Sequence, residues 1–327
     1  MKIVVVGLGS MGRRRIRLIK KIKPDADIIG IDSNSERMEF VQNEYGIKGC
    51  GNLEEQLKDG DIACAVISTS PVSHADLIRQ CLEYRVHVFS ELNLVKDRYL
   101  ENIQLADKMN RVLFLSSTCL YRAEIQYLTE KLKNYKGKVN YIYHVGQYLP
   151  DWHPWENYKD FFVGKRETSG CREIFAVELP WIVDAFGEIE KIQVLTDRIT
   201  DLNIDYDDNY MVLIQHKTGN KGMLAVDVLS RKAVRNLEVY GQQIYLTWDG
   251  TPDGLKEYDW KKKAEKSILL YGSVDTVEGY SSFIIENAYE RELRAFFDAV
   301  ENGEKAKYSF QEDLHILDWI DRIEKNV

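Results

Sequence analysis

The chain has 327 residues, 44% hydrophobic and 29% charged, with a formal net charge of −8 and a pI of about 5.5. This is the composition of a globular protein, and the length exceeds the usual size of a single core, so two domains are expected. The acidic balance argues against nucleic acid or an anionic membrane as the main partner, and no apolar run reaches transmembrane length.

The first third of the chain alternates short apolar strands with helical patterns. The predicted strands are rich in β-branched residues, as in strands buried on both faces, and cover residues 2–6, 27–31, 61–68, 86–89 and 112–116. Helical spacing lies between consecutive strands, and one helix is predicted to begin at Ser73 as its N-cap. This alternation indicates a parallel, doubly wound sheet, so we predict an α/β Rossmann domain over residues 1–122.

The pattern changes after residue 122. One further helix is predicted at residues 123–135, and strand-like stretches without intervening helices follow at 139–147, 191–196, 210–216, 223–229, 237–240 and 243–248. Residues 283–326 have the apolar spacing of amphipathic helices. We predict an α+β domain over residues 123–327 with a largely antiparallel open sheet, whose C-terminal helices could pack on the first domain.

The cysteines carry no metal or disulfide signature. They stand at positions 50, 64, 81, 119 and 171, without a CxxC pair or a histidine pair at zinc spacing. They are typical of small buried hydrophobes in a reducing compartment. The first residues also reach glycine too early for a signal-peptide core. We therefore expect no metal and a cytoplasmic location.

A glycine-rich motif follows the first predicted strand. Its residues, in the order GLGSMG, are Gly7, Leu8, Gly9, Ser10, Met11 and Gly12. In a strand–turn–helix setting, Gly7 permits the tight turn, Gly9 lets the backbone approach a pyrophosphate, and Gly12 lets the helix pack closely. The helix N-terminus would offer its amides to the phosphates. The basic run at residues 13–15 is interpreted as a solvated helix face.

An acid closes the second strand, as a dinucleotide site requires. Asp32, followed by Ser33, is placed to accept hydrogen bonds from the adenosine ribose hydroxyls. A carboxylate there repels a 2′-phosphate, so NAD is predicted in preference to NADP. Arg37, one turn into the next helix, could moderate that repulsion.

Hydroxyl side chains end the third strand at the carboxyl edge of the sheet. Ser68, Thr69 and Ser70 are expected to bond the nicotinamide ribose or the diphosphate, because they lie beside the point where strand order reverses. His74 follows one turn into the next helix. We place it at the cofactor site, although a histidine there more often caps or packs than catalyses.

The chain resembles the Gfo/Idh/MocA family of oxidoreductases along nearly its whole length. The motifs that carry the resemblance are GLGSMG at 7–12, STSPVSH at 68–74, VHVFSE at 86–91, the pair Tyr121-Arg122, and a helix ending at Phe186-Gly187. The resemblance implies an NAD(P)-dependent enzyme that oxidises or reduces a carbon of a sugar, cyclitol or nucleotide sugar. It also implies a homodimer or homotetramer formed through the sheet of the second domain, and we place Arg122 on the cofactor side.

Two positions depart from the family pattern. In the family the fourth strand ends in Glu-Lys-Pro, and the lysine handles the substrate proton; here the residues are Glu91, Leu92 and Asn93. By resemblance, Glu91 contacts the nicotinamide ribose, and Asn93 offers an amide in place of proline. The family also has an Asp and a His four residues apart on a helix, and the matching positions are Glu173 and Val177. An acid is therefore kept while both proton-handling bases are absent.

A replacement acid/base is expected among unusual residues nearby, because hydride transfer at a carbinol carbon needs a proton partner within hydrogen-bond reach. The acid/base candidates are Glu173, His153, Lys165 and Tyr121. The candidate substrate contacts are Trp152, Trp155, Arg166, Arg172 and Glu178. On a helix, Glu173 shares a face with Val177, whereas Glu178 is turned by about 100°. Each candidate also has a purely structural interpretation, as a packed ring, a solvated loop charge or a helix N-terminal acid.

Two interpretations stay open. The favoured one is an oxidoreductase with a relocated acid/base, because the replacement region is rich in polar and aromatic side chains that suit a sugar. The alternative is a catalytically inactive sensor or partner subunit that binds NAD and a sugar-like ligand. Both predict a small sugar-like partner and neither predicts nucleic acid or membrane.

Overall fold

The computed structural model describes residues 1–152, 157–276 and 283–326. The chain divides into two compact units after residue 117, close to the boundary expected at 122. Unit 1 comprises residues 1–117 and 289–315, and unit 2 comprises residues 118–288 and 316–327. A segment near the C-terminus thus returns to the first unit.

Unit 1 is built on a six-stranded parallel sheet. Its strands are β1 (Lys2–Val6), β2 (Asp27–Ile31), β3 (Lys48–Cys50), β4 (Ile62–Ile67), β5 (His87–Ser90) and β6 (Leu113–Leu115). Their spatial order is β3-β2-β1-β4-β5-β6, so strand order reverses between β1 and β4. The predicted Rossmann fold is confirmed, and the reversal marks the edge where ligands bind in such sheets. The short strand β3 was missed because it is not an apolar run.

Helices connect these strands. They are α1 (Ser10–Ile22), α2 (Ser35–Tyr45), α3 (Leu53–Lys58), α4 (His74–Glu83) and α5 (Tyr99–Met109). Asn34 and Asn52 cap α2 and α3 by accepting from backbone amides of the first turn. The predicted cap of α4 is wrong, because Ser73 makes no capping hydrogen bond and donates instead to Thr69 Oγ1 at 2.8 Å.

Unit 2 includes the helices α6 (Ala123–Asn134) and α7 (Gly170–Phe186) and a large sheet. Its strands are β7 (Val139–Gly146), β8 (Ile189–Asp197), β9 (Asn209–His216), β10 (Lys221–Asp227), β11 (Val234–Gly241), β12 (Ile244–Trp248), β13 (Lys256–Asp259) and β14 (Ala264–Ser267). The order is β14-β13-β12-β11-β7-β10-β9-β8, antiparallel except where β10 pairs with β7. The predicted second fold is confirmed; β13 and β14 were missed because they are rich in charged residues and neither contains a buried residue.

The two faces of this sheet differ in their environment. Inward side chains such as Tyr141, Tyr143 and Val239 are buried on the side where α7 packs. The opposite face keeps large apolar side chains in water, with Leu195 73% and Met211 57% exposed. Such alternation is what an open antiparallel sheet with one covered face produces.

The predicted amphipathic helices of the tail are present. They are α8 (Glu286–Asn302) and α9 (Phe310–Lys325). Leu293, Phe296 and Phe297 of α8 are buried in the first unit's core, where each contributes about 2 kcal/mol. No helix within the described ranges is both long and apolar enough to cross a bilayer.

Candidate functional site

The turn from β1 into α1 is shaped by its glycines. A Cβ on Gly12 would lie 1.8 Å from the Gly7 carbonyl oxygen, and one on Gly7, which has φ +89°, would lie 2.7 Å from the Ser68 oxygen. A Cβ on Gly9 would meet nothing within 4 Å, so the backbone there is open. α1 begins without a side-chain cap or an acid in its first turn. These features fit a pyrophosphate, which would receive the amides and the positive end of the helix dipole.

Asp32 is held by the backbone around the same turn. Its Oδ2 accepts from the Leu8 amide at 2.7 Å and its Oδ1 from the Asn34 amide at 2.9 Å. Arg37 Nη1 lies 3.6 Å from Oδ2, and Ser33 is exposed beside it. Each carboxylate oxygen retains a second acceptor site, so Asp32 could accept further hydrogen bonds; its role at the ribose stays a prediction.

The end of β4 lies against the glycine turn. A Cβ on Gly7 would lie 2.9 Å from Thr69 Cγ2 as well as close to Ser68. Ser68, Thr69 and Ser70 are all half-buried. The structure thus places the Ser68 backbone and the Thr69 side chain against the glycine turn, while cofactor binding by the three hydroxyls stays a prediction.

His74 lies below this edge with both ring nitrogens engaged. Nδ1 is 2.6 Å from Asn93 Oδ1 and Nε2 is 3.0 Å from the Thr69 carbonyl oxygen, and the side chain is buried. Burial lowers the pKa of His74, which favours the neutral ring. We correct its predicted role: His74 orients Asn93 and Thr69 and is not itself placed to contact a cofactor.

Glu91 is paired with a cation that sequence reasoning missed. Arg15 Nε lies 2.5 Å from Glu91 Oε1 and Nη2 lies 2.9 Å from Oε2, while Ser68 Oγ lies 3.5 Å from Oε1. The interpretation of residues 13–15 as a solvated face is wrong, since Arg14 is 2% and Arg15 0% exposed. The available signal was helical spacing, because Arg15 lies one turn from both Gly12 and Ile19, which are packed.

In unit 2, Glu173 lies in the first turn of α7. The helix is capped by Ser169, which accepts from the Arg172 amide at 3.1 Å. Glu173 is half-buried, and its Oε2 has no hydrogen-bond partner among the described residues. Burial raises the pKa of Glu173 to about 7, although a helix N-terminus by itself favours the carboxylate. The side chain can therefore gain or lose a proton near neutral pH.

Trp152 packs against the same turn of α7. Its ring would lie 3.4 Å from a Cβ on Gly170, and Nε1 donates to the Gln147 carbonyl at 3.0 Å. The predicted His153 and Trp155 lie outside the described residues. Val177, half-buried, follows one turn after Glu173 and offers no proton.

The remaining loop and tyrosine candidates have different surroundings. Lys165 and Arg166 are exposed, and Arg166 pairs with Asp205, with its Nε 3.5 Å from the carboxylate. Tyr121 is buried in unit 2. Both loop cations are exposed, whereas Glu173 is half-buried.

Two predicted substrate contacts are corrected by the structure. Arg172 is buried and forms ion pairs with Asp321, at 2.8 Å, and with Glu324 of α9. Glu178 is fully buried and accepts from Tyr143 at 2.8 Å, Trp181 at 2.7 Å and Arg235 at 2.6 Å. Both side chains are occupied by the core of unit 2, so neither is placed to contact a substrate.

Arg122 is corrected in the same way. Its guanidinium pairs with Glu124 at 2.8 Å, donates to the carbonyl oxygens of Gly250 and Phe283 at 3.0 and 2.8 Å, and lies over the Trp248 ring. Every nitrogen that could reach a cofactor already has a partner in unit 2. Among the described residues no group of His, Cys, Asp and Glu is arranged to hold a metal ion.

Comparison with known proteins indicates the class of protein to which the first unit is similar. The model of an oxidoreductase family with an NAD-binding Rossmann fold, GFO_IDH_MocA, matches residues 1–115. Residues 1–115 thus match the NAD-binding Rossmann domain of the Gfo/Idh/MocA family, which agrees with the resemblance noted in the sequence.

Two relatives have the same sequence identity over different lengths. Biliverdin reductase A of Mus musculus is 28% identical over 231 residues, which are 68% of this chain and 69% of the relative. Myo-inositol 2-dehydrogenase of Thermotoga maritima is 28% identical over 141 residues, or 41% of each chain.

Solved structures show that the fold is shared along the whole chain. An oxidoreductase from Agrobacterium radiobacter in complex with NAD+, L-tartaric acid and magnesium superposes with a TM-score of 0.83 at 14% identity. Levoglucosan dehydrogenase in complex with NADH and L-sorbose superposes with a TM-score of 0.81 at 13% identity. Each comparison covers 100% of this chain and 96% of the other.

The corrected role of Glu178 can be tested by stability. Glu178→Gln replaces a buried carboxylate, which accepts from Tyr143, Trp181 and Arg235, by an amide that has a single acceptor oxygen, so we expect a loss of about 3 kcal/mol in the free energy of unfolding. Urea unfolding measures it, and NADH affinity should stay unchanged. The control is Glu188→Gln, which breaks the exposed pair with Lys217 and should cost below about 1 kcal/mol. Equal stability of both variants would contradict the buried role.

Proposed function

We propose that the protein is an NAD-dependent oxidoreductase that acts on a CH–OH carbon of a sugar, cyclitol or nucleotide sugar, with Glu173 as its acid/base. The observation that carries this proposal is the environment of the Glu173 carboxyl group. It is an acid in the first turn of α7, with an unpartnered oxygen and a pKa raised by burial to about 7. A general acid/base works best when its pKa lies near the operating pH.

The proposed reaction divides between cofactor and protein. Bound NAD would accept a hydride from the carbinol carbon, and return it in the reverse direction. Glu173 as the carboxylate would take the hydroxyl proton during oxidation, and as the acid would supply it during reduction. Val177 and Leu92, which stand where the family has His and Lys, cannot do this.

Glu173 is preferred to the other acid/base candidates on physical grounds. Lys165 is an exposed loop cation, and Tyr121 is buried in the core of its unit. His153 stays a prediction, since it lies outside the described residues. Trp152, packed beside the first turn of α7, supports the sugar-like substrate class because an aromatic face suits stacking on a sugar ring.

The substrate class also draws on a relative. Myo-inositol 2-dehydrogenase of Thermotoga maritima, whose name gives a cyclitol substrate, matches 41% of the chain. NAD is favoured over NADP because the Asp32 carboxylate is fixed by two amides at the ribose position, where it would repel a 2′-phosphate.

A second copy of this chain is the partner that we propose for the outer face of the unit 2 sheet. Neighbouring strands place Leu195 beside Met211, and Leu213 beside Met223, which in turn pairs with Ile142. All five are exposed and together form an apolar band. An extended band of this kind is typical of an interaction surface, and a flat sheet face can pair with itself about a twofold axis.

A second candidate function rests on the other relative. Biliverdin reductase A matches 68% of the chain, and the two family base positions are the apolar Leu92 and Val177. An oxidoreductase that reduces a conjugated pigment instead of a carbinol is therefore the runner-up. A binding protein without turnover is the third outcome that the experiments below distinguish.

The first prediction concerns Glu173. With NAD+ or NADH, a panel of sugars, cyclitols, nucleotide sugars and biliverdin is screened by absorbance at 340 nm. For the best carbinol substrate, Glu173→Gln should lower kcat by about a hundredfold or more, because the proton partner is gone. For oxidation, kcat/KM of the natural chain should rise with pH and level off above about 7, because the carboxylate is the active form.

The matched control is Glu167→Gln, an exposed acid just before α7 that should leave activity and pH profile unchanged. Turnover of biliverdin alone would favour the runner-up. Binding of NADH without turnover of any compound would favour the binding protein. Full activity of Glu173→Gln would show that another group handles the proton.

The second prediction concerns cofactor choice. Asp32→Asn keeps the acceptor for the Leu8 amide but removes the charge, so the preference for NADH over NADPH should narrow by about tenfold. Fluorescence titration with each cofactor measures it. Glu36→Gln, an exposed neighbouring acid, should leave the ratio unchanged. A natural chain that prefers NADPH would overturn the NAD assignment.

The third prediction concerns self-association. Leu213→Lys places a charge in the middle of the apolar band and should convert the dimer or tetramer to monomer, because a buried unpaired charge is costly. Light scattering after size exclusion gives the mass. The control is Leu100→Lys, since Leu100 has a similar exposure, 56% against 52%, but lies in unit 1. A natural chain that is monomeric at tens of micromolar would count against this interface.

A further inference from the structure

A buried network of charges lies beneath the cofactor edge of unit 1. The Arg15 guanidinium forks onto Glu91, with Nε to Oε1 at 2.5 Å and Nη2 to Oε2 at 2.9 Å. The same Nη2 lies 2.8 Å from Glu292 Oε2 on α8 and 3.2 Å from Ser116 Oγ. Arg15 and Glu292 are both 0% exposed, so the network is shielded from water.

Stability alone does not account for this arrangement. Arg15 Nη1 is buried and donates no hydrogen bond to any residue in the described ranges, although the guanidinium faces the rings of Phe89 and Tyr289 at 4.5 and 5.3 Å. A buried donor without an acceptor costs free energy, and buried ion pairs often add no net stability over apolar packing. Burial also raises the pKa of Glu292, as expected when two acids share one cation.

The two-pronged contact from Arg15 orients the Glu91 carboxylate. Both nitrogens approach one edge of the Glu91 carboxylate, which fixes its plane and takes one acceptor site on each oxygen. The second acceptor site of each oxygen is left for other donors, and Ser68 Oγ lies beside one of them at 3.5 Å. Glu91 itself is 8% exposed, so part of the group can be reached from outside.

We propose that Arg15 is a positioning residue for cofactor binding, which holds the Glu91 carboxylate in the orientation that accepts the nicotinamide ribose hydroxyls. This inference rests on the proposed function, in which the site binds NAD. Arg15 lies on α1, the helix whose N-terminus would face the pyrophosphate of a bound cofactor. One rigid element thus sets both the phosphate amides and the ribose acceptor, at two places along the cofactor.

Arg15→Lys tests the proposal, because lysine keeps the charge but cannot make the two-pronged contact. The dissociation constant of NADH, measured by fluorescence titration, should rise about tenfold, as it should in Glu91→Gln. Because both changes remove the same contact, the double variant should bind no more weakly than the weaker single variant. Thermal unfolding is recorded in parallel to separate binding from folding.

The control is Lys21→Gln. Lys21 pairs with Glu290 at 2.7 Å and so links the same two helices, α1 and α8, at the surface. Its loss should leave the NADH dissociation constant unchanged. Unchanged affinity in a folded Arg15→Lys, or effects of Arg15→Lys and Glu91→Gln that multiply, would overturn the proposal.

A variant that keeps Arg15 covers the case in which Arg15→Lys does not fold. Glu91→Asp retains the charge but withdraws the carboxylate by one methylene, so NADH affinity should fall by a similar factor. Unchanged affinity would show that the position of the acid is unimportant. Failure of the natural chain to bind NADH or NADPH would overturn the proposed function itself, whereas equal binding by natural chain and variants overturns only the role of Arg15.

Discussion

The close approach of α1 to β1 is the constraint on which the first unit depends. It exists only because Gly12 has no side chain, since a Cβ there would lie 1.8 Å from the Gly7 oxygen. That approach directs the start of α1 at the open backbone of Gly9, and one turn further along it places Arg15 beneath the end of β5. The cofactor edge and its buried support thus share one steric origin.

Most of the fold could be predicted from hydrophobic periodicity, and the failures have a physical pattern. The fully buried strands of unit 1 are continuous apolar runs, which local sequence reveals. β13 and β14 are stabilised by pairing with neighbouring strands and not by burial. Their sequences are rich in charged residues and are therefore typical of a loop. The C-terminal helices were expected to be able to pack on the first domain, but which residues return to unit 1, namely 289–315, depends on long-range contacts that no local pattern contains.

The residues of the candidate site also divide into those that the sequence predicts and those that only the structure identifies. Glycine spacing and the acid after β2 mark the cofactor edge, because that chemistry requires particular residues at particular intervals. Charged residues on α7 are harder to interpret, since Glu173 and Glu178 look alike in sequence. Only the structure shows that Glu178 has three buried donors while one oxygen of Glu173 has none among the described residues. Arg15 was misread because its partner Glu91 is distant in sequence.

The segment at residues 289–315 has a consequence for synthesis. The first unit places Leu293, Phe296 and Phe297 in its core and Glu292 against Arg15, yet these residues are synthesised about 170 residues later than the end of its amino-terminal segment at residue 117. The amino-terminal 117 residues therefore wait for the carboxyl-terminal part before their core is closed. Because the core of the nucleotide-binding unit includes residues 289–315, residues 1–117 alone do not contain all of the side chains that close it.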